Sequence, residues 1–242
     1  LSQRVRDHGP WAEDREVSLG DLIALGYPEA FARRVVSLLG ETEVLTHYLQ
    51  KGKNRKCVPL TRLDQRYPGQ VRKKLGQDSP GCLWAKGDLS LLEGPMLSLV
   101  GCRQLETENK AFAEHVGLEA ARQGYVLVSG NAVGADQAAQ RACWKAGGRV
   151  ICVVADALHS HLEAPNVLYL SEEDFDMPFS PFRALRRNRV IHTMGACTLV
   201  SQVRLGHGGS WDGTSQNLKH GWTPVYGFRD GSDGMRALES MG

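Results

Sequence analysis

The sequence predicts an α/β protein: a doubly wound, mostly parallel, Rossmann-like sheet preceded by a small helical domain. Two observations carry this. After Pro95, apolar runs recur at 96–100, 125–128, 149–154, 167–170, 197–203 and 223–228, continuous rather than alternating, as strands buried on both faces require. Between several of them lie amphipathic stretches near 107–123, 135–147, 184–195 and 213–220, the rhythm of strand–helix–strand units. From Ser18 to about Gln50 the spacing is helical instead (Leu22, Ile23 and Leu25, then Phe31, Val35, Val36, Leu38 and Leu39, then Val44, Leu45, Tyr48 and Leu49), with breaks at Gly26-Tyr27-Pro28 and Gly40. The expected division is 1–61 for the helical domain and 62–242 for the sheet domain. Residues 1–10 are polar and read as a loose end.

With 242 residues there is room for one large α/β domain and a small appendage. The formal charge is only +2, so a nucleic-acid surface must come from local clustering. Residues 51–74 cluster nine Lys or Arg with a single acid, Asp64, which reads as a solvated linker face or as a surface tracking phosphates. Six scattered cysteines form no Cys-x-x-Cys, so reduced thiols, no zinc and a cytoplasmic location are expected. No apolar run approaches a membrane span, and no secretory signal is visible. The chain starts at Leu1 rather than Met and is expected to be an excised or processed piece.

Chemistry is expected at the carboxyl ends of the strands, where ligands of open α/β sheets sit. Gly101-Cys102-Arg103 closes the first core strand and offers Arg103 to a phosphate. Ser129-Gly130-Asn131-Ala132-Val133-Gly134-Ala135-Asp136 closes the second, its small residues admitting a ligand to a helix start, with the Ser129 hydroxyl and backbone amides as donors. Arg186-Arg187-Asn188-Arg189 sits at another helix start. Helical geometry lets Arg186 and Arg189 share a face and turns Arg187 elsewhere, toward an acidic partner within the fold. A third turn, Gly208-Gly209-Ser210-Trp211-Asp212-Gly213-Thr214, offers the Ser210 and Thr214 hydroxyls, with Trp211 either stacking on a base or capping the core. The candidate phosphate-binding set is therefore Arg103, Ser129, Gly130, Asn131, Gly134, Arg186, Arg187, Asn188, Arg189, Gly208, Gly209, Ser210 and Thr214.

Catalytic signals are thin. No P-loop lysine, Gly-x-Gly-x-x-Gly, Gly-x-Ser-x-Gly or His-Glu-x-x-His occurs. His159 and His161 read as surface polarity, and Glu172-Glu173-Asp174 as a solvated turn. No catalytic residue, metal ligand or cofactor is assigned.

These motifs, in this order, resemble the DNA-processing protein A family (DprA, also called Smf). Its Tyr-Pro-x-x-Leu is matched by Tyr67-Pro68-Gly69-Gln70-Val71, its Lys-Gly-Asp/Asn by Lys86-Gly87-Asp88, and its Gly-Ser-Arg by Gly101-Cys102-Arg103. Ser-Gly-x-Ala-x-Gly-Ile-Asp is matched by Ser129 to Asp136, Arg-Asn-Arg-Ile-Ile by Arg187 to Ile191, and a final Ser-Gly-Ser loosely by Gly208 to Thr214. The resemblance spans residues 62–228. It implies an extended Rossmann-like domain that binds single-stranded DNA through a basic pocket including Arg103, forms a homodimer, and in characterised members loads a RecA-type recombinase. Cys102, Gln140, Ala184-Leu185 and Gln202 depart from the family pattern and mark a divergent branch.

A second function class is a nucleotide-binding sensor or a nucleoside-monophosphate phosphoribohydrolase of the related superfamily. Those enzymes carry Pro-Gly-Gly-x-Gly-Thr-x-x-Glu. Here Asn217 stands where the glutamate belongs, and an amide cannot replace that carboxylate, leaving Asp212 as the nearby acid. A third class is a scaffold with a lapsed pocket, which the retained arginines oppose.

Overall fold

In a computed structural model, which describes residues 17–242, the chain divides into two compact units, Leu1–Lys51 and Gly52–Gly242. The loose end expected at residues 1–10 lies outside the described residues. The first unit contains α1 (Leu19–Ala24) and α2 (Glu29–Leu39), and α3 (Thr42–Asn54) runs from it into the second. A capping box starts α1: the Ser18 hydroxyl accepts from the Asp21 N–H, and the Asp21 carboxylate accepts from the Ser18 N–H. Pro28 sets the start of α2, where Tyr27 stacks on Phe31.

The second unit is built on an eight-stranded sheet in the order β1-β2-β6-β5-β4-β3-β7-β8. The strands are β1 (Val58–Thr61), β2 (Cys82–Gly87), β3 (Met96–Val100), β4 (Val126–Ser129), β5 (Arg149–Val154), β6 (Val167–Ser171), β7 (Thr198–Val200) and β8 (Val225–Gly227). From β6 to β8 every pairing is parallel; β1 with β2 and β2 with β6 are antiparallel. The six apolar runs after Pro95 are the six parallel strands. β4 is buried at every residue, and β5 at all but its first, because helices cover both faces.

β1 and β2 were not expected. β1 lies within residues 52–61, which the sequence placed with the helical domain, and it pairs along β2 from Val58 opposite Ala85 to Thr61 opposite Cys82. The remaining helices are α4 (Gly69–Leu75), α5 (Thr107–Arg122), α6 (Ala135–Lys145), α7 (Pro181–Arg186), α8 (Asn188–Met194), α9 (Gly209–His220) and α10 (Asp233–Met241). The stretch expected as one helix over 184–195 is two, joined at Arg187. All six cysteines are free.

The strand order places the site. From β3 the chain steps one way through β4, β5 and β6, then crosses back through α7 and α8 to put β7 on the other side of β3. The loops leaving β3 and β7 therefore diverge, and the crevice between them is where ligands of such sheets bind.

Candidate nucleic-acid interface

Hydrogen bonds tie the loops at the β3–β7 divide to one another. The Cys102 N–H donates to the Gln202 carbonyl at 3.0 Å, and the Cys102 carbonyl accepts from Ala135 N–H, the first residue of α6, at 3.1 Å. Ser210 Oγ donates to the Gly101 carbonyl at 2.5 Å. Gly134 has φ 101°, and a Cβ there would collide with the Cys102 and Arg103 carbonyls. Only glycine lets the α6 start approach the Arg103 loop so closely.

Between these loops lies a cavity of about 590 Å³. Arg103, Arg187, Asn188 and Arg204 line it, together with Gly208, Gly209 and Ser210 at the start of α9. Free N–H groups at that helix start favour an anion. A neighbouring cavity of about 250 Å³ shares Arg103 and Arg187 and adds Gly130, Asn131, Asp156 and Phe179.

The arginines differ in kind. Arg103 is exposed, makes no ion pair among the described residues, and has its guanidinium 6.0 Å from the Phe179 ring centre. Arg187 is buried. It donates to the Gly130 carbonyl at 3.0 Å and to Asn188 Oδ1 at 2.9 Å, and it faces the buried carboxylate of Asp136. Burial pushes the Asp136 carboxyl up, and the Arg187 charge pulls it back down. Asp136 thus acts on Arg187 through its charge, while the direct partners of Arg187 are the Gly130 carbonyl and the Asn188 side chain rather than the acid that the sequence reading expected. Asn188 then reaches across, its amide donating to the Gly209 carbonyl at 2.8 Å, so it ties Arg187 to α9. Gly130 has no room for a side chain, since a Cβ there would overlap the Arg187 guanidinium.

Several expectations need correction. Arg186 and Arg189 do share a face, but in a different cleft, lined also by Lys74, Asp78, His220 and Trp222. There both bind Glu172, and Arg189 also donates to the Asp78 carbonyl. Glu172 is not part of a solvated turn: its side chain is 6% exposed, and burial pushes its carboxyl up while the two arginines pull it down. Ser129 is fully buried, and its hydroxyl donates to the Leu99 carbonyl at 2.8 Å instead of facing the cavity. Gly209 to Thr214 is not a turn but the beginning of α9, which buries Thr214 completely. Trp211 likewise packs on the core.

His161 is not plain surface polarity either, since its Nε2 lies 2.8 Å from Asp156 Oδ1. Asn217 is fully buried, bonded to Thr223 and close to His192, and Asp212 does not line either cavity. Sequence reasoning missed Arg204, His207, Phe179 and Asp156 as lining residues. A cation and a histidine just before Gly208 were the available signal for the first two.

Among the described residues no group of side chains could hold a metal ion, and no helix is long and apolar enough to cross a membrane. The family model for DNA recombination-mediator protein A matches residues 59–223. The chain is 31% identical over 171 residues to the DNA processing protein DprA of Bacillus subtilis, covering 66% of this chain and 55% of that protein. It is 27% identical over 208 residues to DprA of Streptococcus pneumoniae, covering 81% and 70%. The chain thus spans little more than half the length of the Bacillus relative. The X-ray structure of the Streptococcus pneumoniae protein superposes with a TM-score of 0.76 at 25% identity, over 95% of this chain and 83% of that one. A Helicobacter pylori DprA structure, described for its single-stranded DNA binding mode, superposes at 0.63 with 23% identity, over 76% and 87%. With more than half of its length matched by the family model, the chain belongs to the DNA recombination-mediator protein A family.

Proposed function

We propose that the cavity at the β3–β7 divide binds the phosphate backbone of single-stranded DNA, with Arg103 as the cation that touches it. The observation that carries this reading is the pairing of an exposed arginine, which makes no ion pair among the described residues, with the open start of α9 across the same cavity. Charge-assisted bonds from a guanidinium and from helix-start amides are the usual means of holding a phosphate. Family membership supports it, as does the relative described for single-stranded DNA binding. Arg187, Asn188, Gly130 and Gly134 serve this site by shaping it; Arg204 and the α9 start add to its field. The same reading extends to a homodimer, a RecA-type recombinase partner, a cytoplasmic location, and a binding protein rather than an enzyme.

The test is fluorescence anisotropy of a labelled oligo-dT at several salt concentrations, with duplex DNA and nucleoside monophosphates as competitors. Binding should weaken with salt, by a slope of about 0.7 per phosphate contacted, and should ignore the monophosphates. Failure to bind the oligonucleotide, with saturable binding of a monophosphate, would move the function to a nucleotide sensor. A phosphoribohydrolase is disfavoured because Asn217 is buried and Asp212 lies outside both cavities.

A further inference from the structure

We propose that the smaller cavity is a nucleobase subsite, and that Asp156 makes it select a base with an exocyclic amino group over thymine or uracil. This rests on the single-stranded DNA reading above. Exposed charge separates the two cavities. Both are bordered by Arg103 and Arg187 and each has one acid in its lining, but Asp136 of the larger is buried and accepts from the Ala132 N–H, whereas Asp156 of the smaller is half-exposed. A carboxylate repels a phosphate, so the backbone settles toward Arg103 and the α9 start, and the Asp156 wall suits an uncharged group.

The rest of that wall fits a planar ring. Val133 and Phe179 are both more than half exposed there, beside Val154 and Ala155. A flat aromatic face next to a guanidinium is a stacking platform for a base. The volume of about 250 Å³ falls below the roughly 300–1,000 Å³ of pockets for drug-sized ligands, which suits one base rather than a whole nucleotide.

Asp156 is fixed in place. Its Oδ1 lies 2.8 Å from His161 Nε2, and the His161 ring stacks on Tyr169 with centres 4.6 Å apart. The carboxylate belongs to a cavity-lining residue and is 45% exposed, so its second oxygen remains able to accept. An ionised carboxylate can only accept, so it complements the N4 amino group of cytosine and opposes the O4 carbonyl of thymine or uracil.

Oligo-dC and oligo-dU of equal length isolate this contact, because their bases differ at position 4, amino against carbonyl. Anisotropy titrations of the full chain, in mildly alkaline buffer and low salt, should give oligo-dC about fivefold tighter binding than oligo-dU. Asp156→Asn, whose amide both donates and accepts, should bring the two within about twofold. Equal affinities in the unsubstituted protein would overturn the subsite assignment and leave the DNA reading standing. A preference that survives Asp156→Asn would overturn the role of Asp156. Binding of neither oligonucleotide would sink the DNA reading itself, and this inference with it.

Discussion

Two clefts of similar size flank the junction of α7 and α8, about 590 Å³ on the Arg103 and Arg187 side and about 630 Å³ on the Arg186 and Arg189 side. In the sequence Arg186, Arg187 and Arg189 all count as candidate phosphate ligands, with Arg187 turned away from the other two. In the fold their surroundings set them further apart. On one side the exposed guanidinium, Arg103, makes no ion pair among the described residues, and the acid in that cavity's lining, Asp136, is itself buried. On the other side both guanidiniums close on Glu172, which has almost no contact with water. Counting arginines therefore overstates the capacity for anions; the balance depends on where each counter-charge is buried.

The sharpest way to break this comparison is Arg187→Ala. It leaves the buried Gly130 carbonyl and Asn188 Oδ1 without their donor and removes the positive charge that offsets the buried Asp136, and should cost about 2–3 kcal/mol of stability in a denaturant titration. Arg189→Ala should cost about 1–3 kcal/mol, because Glu172 keeps Arg186 Nε at 2.9 Å, while oligo-dT affinity stays within about twofold. A large affinity loss at constant stability would instead make Arg189 part of the binding surface. Arg103→Ala should do what Arg189→Ala does not: about tenfold weaker binding with an unchanged melting temperature. A substitution that lowered both would make Arg103 a brace as well.

The smallest effect at neutral pH belongs to His192, on the helix between the two clefts. Burial, with Arg187 adding to it, pulls its imidazole down to about 3 from an ordinary 6.5. The unfolded chain therefore binds the proton more readily. Stability should be intact above about pH 6.5 and fall as pH drops toward 3, by up to ~1.4 kcal/mol per pH unit. His192→Asn should flatten that part of the stability profile measured by denaturant titration.

The parallel half of the sheet was legible because burial on both faces writes unbroken apolar runs, as in Val150 to Val154. β1 and β2 were not. β1 contains Pro59 and only four residues, and β2 carries Lys86, whose ammonium donates to the His159 carbonyl at 2.7 Å while its stem is buried. Nor did the basic run 51–74 announce its purpose. Arg55 pairs with Asp176, Lys56 with Glu163 and Arg66 with Asp64, while Lys74 caps the carbonyls of Thr193 and Gly195. Each partner but Asp64 comes from far along the chain, which no local pattern can show. Of the site itself, glycine turns and Arg103 could be read from sequence, since close approach demands glycine at Gly134. Which hydroxyls face inward could not, because Ser129 and Thr214 are decided by the pitch of the elements that carry them.

The antiparallel flank also dictates an order of events at synthesis. β1 and β2 pair locally, yet β2 docks on β6, with Trp84 opposite Ser171 and Gly87 opposite Leu168. The chain between them must be made before that seam can close, and the closing β7 and β8 emerge later still. Pairings so distant along the chain are slow to form. Until β6 leaves the ribosome, the outer strand pair has an open edge, and that is the interval in which a nascent chain of this fold is most exposed to mispairing with its neighbours.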